Sequence, residues 1–333
     1  MTDKENSATN TGTFLAVGDT VIEPFIKLSV GHVQETANGP ELCIPYGAKV
    51  PYESATLIAG VGNSANAAVS AARLGVHSSL LTWLGEDAYG NLCRETLVKE
   101  GVLSDFIQLQ AGKKTNYHYV LWYGDDRTIL VKHEAFDYSL PAIGSPTWLY
   151  ISSLGAHTES FHDELTAYVK NNPDVRVAFQ PGTFQLKMGK NTELYKETDV
   201  VCVNKEEAQV LLESDEHDIK KLLDGLEALG PSTVIITDGP LGAYMKYDHT
   251  YFNMPIYPDI APPLERTGAG DAFFSTFIAY LVKGYDPIYA INRAPINSMN
   301  VVQHIGAQEG LLSEKAIEEF LQKAPESYKL VIL

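Results

Sequence analysis

The segment Glu265-Arg266-Thr267-Gly268-Ala269-Gly270-Asp271 runs directly into residues 272–282, where only Ser275, Thr276 and Tyr280 carry a polar side-chain atom. Such a run predicts a buried helix, with two glycines and a carboxylate in its first turn. Backbone N–H groups at a helix start have no intrahelical partner, and together with the helix dipole they favour an anion. The segment therefore reads as a phosphate-handling site. An aspartate is also a favoured helix-starting residue that bonds its own backbone amides, so this stretch alone leaves capping and phosphate chemistry both open.

Short apolar runs at 13–17, 79–83, 148–152, 175–179, 200–203 and 233–237 alternate with helical patterns at 63–74, 88–100, 160–171, 205–213 and 218–229. That alternation predicts an α/β fold with a mostly parallel central sheet covered on both faces. Two stretches break the rhythm, at about 20–58 and 105–134, and read as antiparallel strands forming a small sheet over a crevice, a lid. The first dozen residues are polar and read as a disordered tail; residues 13–333 read as one domain.

Composition narrows the function. A net charge of −17, from 42 acidic and 25 basic residues, argues against nucleic acid and anionic lipid as partners and points to small molecules. The three cysteines are far apart with no metal-ligand spacing, which fits a reducing cytoplasm. No stretch is long and apolar enough to span a bilayer.

Four further segments fall where strands end or helices begin. Residues 60–68 bring small side chains and Asn66 to the start of an alanine-rich helix; close backbone approach and a carboxamide suit sugar hydroxyls. Asn204 and Glu207 stand three apart after a strand, a spacing that serves a helix cap or the orientation of a hydrated metal. Thr237, Gly239 and Gly242 follow a strong β run and offer a hydroxyl and exposed amides. Residues 304–310 follow a helix and contain Gly306, which suits a C-cap, or carbonyls facing a cation or nucleotide.

In this order and spacing the segments resemble the ribokinase-like, or PfkB, family of carbohydrate and nucleoside kinases. Gly268-Ala269-Gly270-Asp271 is similar to the family's C-terminal signature, and residues 60–90, with Leu84-Gly85-Glu86-Asp87-Ala88-Tyr89-Gly90, to its N-terminal one. The likeness extends from Val17 to about Leu312. It implies a three-layer sandwich with a β lid, and transfer of the γ-phosphoryl of ATP, with Mg²⁺, to a hydroxymethyl group of a sugar. A nucleoside acceptor of the adenosine type, and a sensor without turnover, are the alternatives.

By the same resemblance, Asp271 takes the hydroxyl proton and the amides of Gly268, Ala269 and Gly270 form an anion hole. Asn204 and Glu207 organise Mg²⁺ through water, Thr237, Gly239 and Gly242 line ATP, and Asn297 and Asn300 form an adenine wall. Gly62 and Asn66 meet the acceptor, with Glu23 standing where relatives carry an aspartate. Glu265 stands where relatives carry another aspartate, a departure that leaves open a monovalent-cation site there, with Glu265 as the ligand of an ion such as K⁺. The lid aromatics Tyr117, Tyr119, Trp122 and Tyr123 read as sheet packing ahead of ring stacking, and the exposed lid strands suggest a homodimer through the lid.

Overall fold

The computed structural model describes residues 12–37, 39–124, 126–189 and 193–333. The expected tail therefore lies outside the described residues except for Gly12. The first half of the chain forms β1 (Thr13–Val17), β2 (Val21–Leu28), β3 (His32–Thr36), β4 (Gly39–Cys43), β5 (Tyr52–Val61), α1 (Asn63–Arg73), β6 (His77–Gly85), α2 (Ala88–Lys99), β7 (Ile107–Gln110), β8 (Asn116–Tyr117), β9 (Tyr119–Tyr123) and β10 (Asp126–Leu130). The second half adds β11 (Trp148–Ile151), α3 (Glu159–Asn171), β12 (Arg176–Phe179), α4 (Thr183–Met188), β13 (Val200–Asn204), α5 (Lys205–Leu212), α6 (Ile219–Glu227), β14 (Thr233–Thr237), β15 (Ala243–Tyr247) and β16 (Thr250–Met254). It closes with α7 (Ala269–Val282), α8 (Pro287–Ile291), α9 (Ala294–Val301), α10 (Glu314–Gln322) and β17 (Val331–Ile332).

A ten-stranded sheet in the order β17-β16-β15-β14-β13-β12-β11-β1-β6-β7 runs through the middle. From β14 to β7 every pairing is parallel, while β15, β16 and β17 extend it antiparallel. The sequence of β1 shows why both faces are covered. Phe14 and Ala16 join one apolar cluster with α1, α7 and α9, whereas Leu15 and Val17 join another with α3, α5 and α6. Alternate side chains of a strand point to opposite faces, so a wholly apolar strand needs a helical layer on each side. The architecture is the expected three-layer α/β sandwich with a mostly parallel sheet.

The second sheet runs β10-β9-β2-β5, with β8 also paired to β2. Its pairings correct one expectation: β2–β5 and β9–β10 are antiparallel, but β2 runs parallel to β8 and β9. Strands from distant parts of the chain, on either side of β6 and α2, meet here, and such crossover pairing leaves no turn signal in the sequence.

Asp87 fastens this sheet to the main body. It caps α2, where its Oδ1 accepts from the Gly90 amide at 2.8 Å and from Thr115 Oγ1 at 2.7 Å, while Oδ2 accepts from the Thr115 amide at 3.1 Å. Partial burial works against the charged carboxyl, but these donors and Lys114 outweigh it and hold the group below its ordinary range. Gly90 can be nothing larger, since a Cβ there would lie 2.0 Å from the Gly85 carbonyl oxygen. Asp87→Ala should destabilise the fold by about 1–3 kcal/mol, measured by urea unfolding at neutral pH. Because the folded group titrates below its unfolded value of 3.8, the difference should persist down to that pH and vanish only beneath it.

Candidate active site

Parallel strands end on a common edge, and β1 lies between β6 and β11, where successive connections leave in opposite directions. Ligand crevices form at such a switch point. Here Asp19, Ser153, Gln180, Asn204 and Thr237, each at or just beyond a strand's carboxyl end, line a cleft of about 670 Å³. The small sheet supplies the facing wall through Glu23, His118, Arg127 and Ile129, with His133 just beyond β10.

At the floor of the cleft stands Asp271, 8% exposed, in the first turn of α7. Three carboxamides point at it: Asn63 Nδ2 and Gln180 Nε2 donate to Oδ1 at 2.8 and 3.0 Å, and Asn66 Nδ2 donates to Oδ2 at 2.8 Å. Two of the donors are oriented from behind. Gln180 Oε1 accepts from the Tyr150 hydroxyl, a phenol kept protonated chiefly by burial and then by the Asp271 charge. Asn66 Oδ1 accepts from Gln308 Nε2 at 3.0 Å, and Gln308 also donates to the Gly60 carbonyl at 2.8 Å. Burial pushes the Asp271 carboxyl above its ordinary value against the pull of Asn66, Gln180 and Asn63, and Glu23 adds to the rise. A carboxylate raised but still well supplied with donors suits proton abstraction.

Ahead of it, Gly268 caps α7 at φ 79°, and a Cβ there would lie 2.3 Å from Ala307 Cβ. This position cannot carry a side chain. Gly270 differs: its Cβ would meet nothing within 4 Å, so open space faces the helix start where an anion can approach the amides. Ala269 is held from behind, its carbonyl accepting from Ser298 Oγ at 2.6 Å.

Asn204 and Glu207 form a reciprocal capping box on α5, with Asn204 Oδ1 accepting from the Glu207 amide at 2.7 Å and Glu207 Oε2 from the Asn204 amide at 2.8 Å. Both nevertheless line the cleft, and Glu207 Oε1 makes no hydrogen bond among the described residues. Burial is the main cause that raises the Glu207 carboxyl, with Asp271 contributing. No three His, Cys, Asp or Glu side chains among the described residues converge to hold a metal directly. The donor set instead suits Mg²⁺ carried by phosphate oxygens and water, with Glu207 touching its water shell.

A second groove, about 260 Å³, adjoins the cleft and shares Thr237 and Gly270 with it. Gly239, Gly242, Tyr257 and Phe273 contribute to its walls, as do Pro295, Ser298, Met299 and Val302. That last set, at i, i+3, i+4 and i+7, is one face of α9. Asn297 and Asn300 lie on another face, which corrects their expected place at an adenine wall. Asn297 is fully buried, donating to Thr276 Oγ1 at 2.7 Å and accepting from the Leu312 amide at 2.8 Å, and Asn300 donates to the Gly310 carbonyl at 2.7 Å.

On the acceptor side, Gly62 sits at φ 122° with room for no Cβ, which would be 2.6 Å from the Asp19 carbonyl oxygen. Asn66 lines the cleft as expected of an acceptor residue, and its carboxamide is engaged at both ends, donating to Asp271 and accepting from Gln308. Glu23 lines the cleft with His118 Nδ1 at 3.7 Å. Asp19 was passed over in the sequence although it follows the first strand; it accepts from the Tyr138 hydroxyl at 2.9 Å and the Gly155 amide at 2.8 Å, with His133 Nδ1 at 3.3 Å. Asn63, Gln180, Arg127 and His133 were likewise missed, and only Gln180, directly after an apolar run, carries a strand-end signal.

The expectation for Glu265 changes character. Glu265 is 5% exposed, and its Oε1 and Oε2 accept from the Gly306 and Thr267 amides at 2.9 and 2.7 Å, with a guanidinium, Arg127, as its neighbouring cation. The lid aromatics are taken up in packing, as expected. Tyr117 packs with Tyr89 and Tyr119, Trp122 lies under Lys27, and the Tyr123 hydroxyl donates to the Gly31 carbonyl.

The sequence profile of the pfkB family carbohydrate kinases matches residues 28–314. Ribokinase from Bacillus subtilis is 28% identical over 267 residues, covering 78% of this chain and 87% of that protein. Among solved structures, the ribokinase of Arabidopsis thaliana complexed with ribose and ATP superposes with a TM-score of 0.77 at 20% identity, covering 94% of this chain and 99% of that one. The nucleoside kinase of Methanocaldococcus jannaschii superposes with a TM-score of 0.77 at 19% identity, with the same coverage of both chains. With the profile spanning most of the chain and both signatures built into one cleft, the protein belongs to the PfkB family of carbohydrate kinases.

Proposed function

We propose that this kinase transfers the γ-phosphoryl of Mg²⁺-bound ATP to a hydroxymethyl group of a sugar held in the larger cleft. The observation that carries the reading is the junction of groove and cleft at Thr237 and Gly270, with the Asp271 carboxylate on the cleft side of that junction. ATP in the groove would direct its phosphates past Thr237, Gly239 and Gly242 towards the amides of Gly268 to Gly270. Asp271 takes the acceptor's proton as its oxygen forms the new bond to phosphorus and the bond to the β-phosphate oxygen breaks. Mg²⁺ would neutralise charge on the phosphate oxygens, and Glu207 would orient its water shell.

A sugar fits better than a nucleoside, because Phe184 is the one Phe, Tyr or Trp among the described residues lining the cleft. Polar groups dominate instead, with Asp19, Glu23, His118 and His133 suited to reading hydroxyls. A non-catalytic sensor has no use for a carboxylate aimed by three carboxamides. The outer lid surface, where Tyr52, Leu57, Tyr119 and Leu130 are exposed, is the face we assign to a homodimer.

Conversion of ATP to ADP across a panel of pentoses, hexoses and ribonucleosides tests the reading. Turnover should depend on a sugar, and Asp271→Asn should lower kcat by about 10²–10⁴-fold while ATP still binds. Ribonucleosides as the sole acceptors would overturn the sugar assignment, and full turnover in the variant would overturn the base. Since the raised Asp271 must be deprotonated to act, kcat/KM should fall with acid at a pH above the ordinary aspartate value of 3.8. Removing a donor to the ionised form, as in Gln180→Ala, should move that acid limb further up. A monomer mass at every concentration by light scattering would remove the dimer.

A further inference from the structure

We propose that Arg127 is a catalytic residue of the lid, its guanidinium meeting the transferring phosphoryl group, and that Glu265 is the residue that positions it. The inference rests on the phosphoryl-transfer reading of the same cleft. Asp19, Glu23, Glu207 and Asp271 all line that cleft, yet Arg127 is the one Arg or Lys among the described residues doing so. A lone fixed cation there serves either to neutralise a carboxylate or to receive an anion.

The geometry favours the second role. Glu265 is the neighbouring buried carboxylate, but Arg127 Nε stands 3.9 Å from its Oε2, beyond hydrogen-bond range, and that Nε is buried without an acceptor. Glu265 does not depend on the guanidinium, because backbone amides of Thr267 and Gly306 already satisfy both its oxygens. The remaining contact of Arg127 is the adjacent, exposed Asp126, with Nη1 at 3.4 Å. Glu265 thus holds the positive charge in place while leaving its donors unconsumed. A guanidinium presents five N–H groups in a planar fork that matches phosphate oxygens.

Its placement suits that ligand. Arg127 and Ile129, alternate residues of β10, both face the cleft, and Arg127 shares its lining with Thr267, Gly268, Gly270 and Asp271. The positioning carboxylate is part of the segment leading into α7, so lid charge and anion hole are referred to one anchor. The lid also rests on the loop that Glu265 binds, since a Cβ on Gly306 would lie 2.4 Å from Ile58 Cδ1 of β5. During transfer Arg127 exchanges no proton; it accompanies negative charge as the acceptor oxygen bonds to phosphorus and ADP leaves, with the proton on Asp271.

The test compares the wild type with Arg127→Met, which keeps the apolar stem, Arg127→Lys, which keeps the charge, and Glu265→Gln, after melting curves establish that each folds. Calorimetric affinities for ATP and ADP need no acceptor: Arg127→Met should weaken ATP while leaving ADP unchanged, with Arg127→Lys in between. With the sugar found above, Arg127→Met should lower kcat by about 10²-fold or more and leave the acceptor KM unchanged. Glu265→Gln should shrink the ATP-to-ADP preference in the same direction, and add nothing further in the Arg127→Met background. An unchanged ATP-to-ADP preference, or a rise confined to the acceptor KM, overturns the proposal, and full additivity of the two substitutions overturns the role of Glu265. Failure of the underlying reading looks different, because the wild type would then bind neither nucleotide or Asp271→Asn would keep its turnover.

Discussion

The hydrogen bonding of one buried carboxylate organises this molecule. Asp271 sits in the first turn of an apolar helix, where an ionised group without partners would be driven to neutrality or out of the core. Its donors come from α1, in Asn63 and Asn66, and from the end of β12, in Gln180, and one of them is braced by Gln308. Two distant parts of the chain therefore converge on two oxygens, and a third braces them from behind. The packing of α1 against α7, with Ala65, Ala68 and Phe274 in one apolar cluster, brings those helices close enough for the amides to reach. Core and site are in this respect one construction: the apolar contacts set the distance, and the carboxamides set the direction.

A protein of net charge −17 that handles polyphosphate must attract an anion against its own field. The structure does this locally. Gly268 and Gly270 clear the start of α7, where the backbone contributes partial positive charge that no titration can remove. Among the described residues a single arginine lines the cleft, from the other side. The carboxylates are correspondingly engaged elsewhere, Asp19 by Tyr138 and Gly155, Glu265 by two amides, and Glu207 in part by the cap of α5.

Most of the central sheet was legible in the sequence because its strands are short, apolar and separated by helical periodicity, and the signature around Asp271 marked the floor of the cleft before any contact was known. What escaped did so for identifiable reasons. The β15–β16 hairpin turns through Asp248 and His249, both at positive φ, without the glycine or asparagine that flags such a turn. Asn297 and Asn300 were placed by the family resemblance, and only the rotational phase of α9 reveals that they face away from the groove. Arg127 belongs to the site through tertiary placement alone, and the partnership of Gln180 with Asp271 does too; no spacing in the chain connects 127 with 265 or 180 with 271. The mixed pairing of β2 likewise depends on where β8 and β9 return in space.

The groove and the cleft differ in who covers them. Lid residues such as Glu23, His118, Arg127 and Ile129 wall the cleft, whereas no residue of β2, β5, β8, β9 or β10 contributes to the groove. The two compartments therefore have separate doors. On the proposed reading a nucleotide would reach its groove by a way that the small sheet does not cover, whereas a sugar would enter beside that sheet.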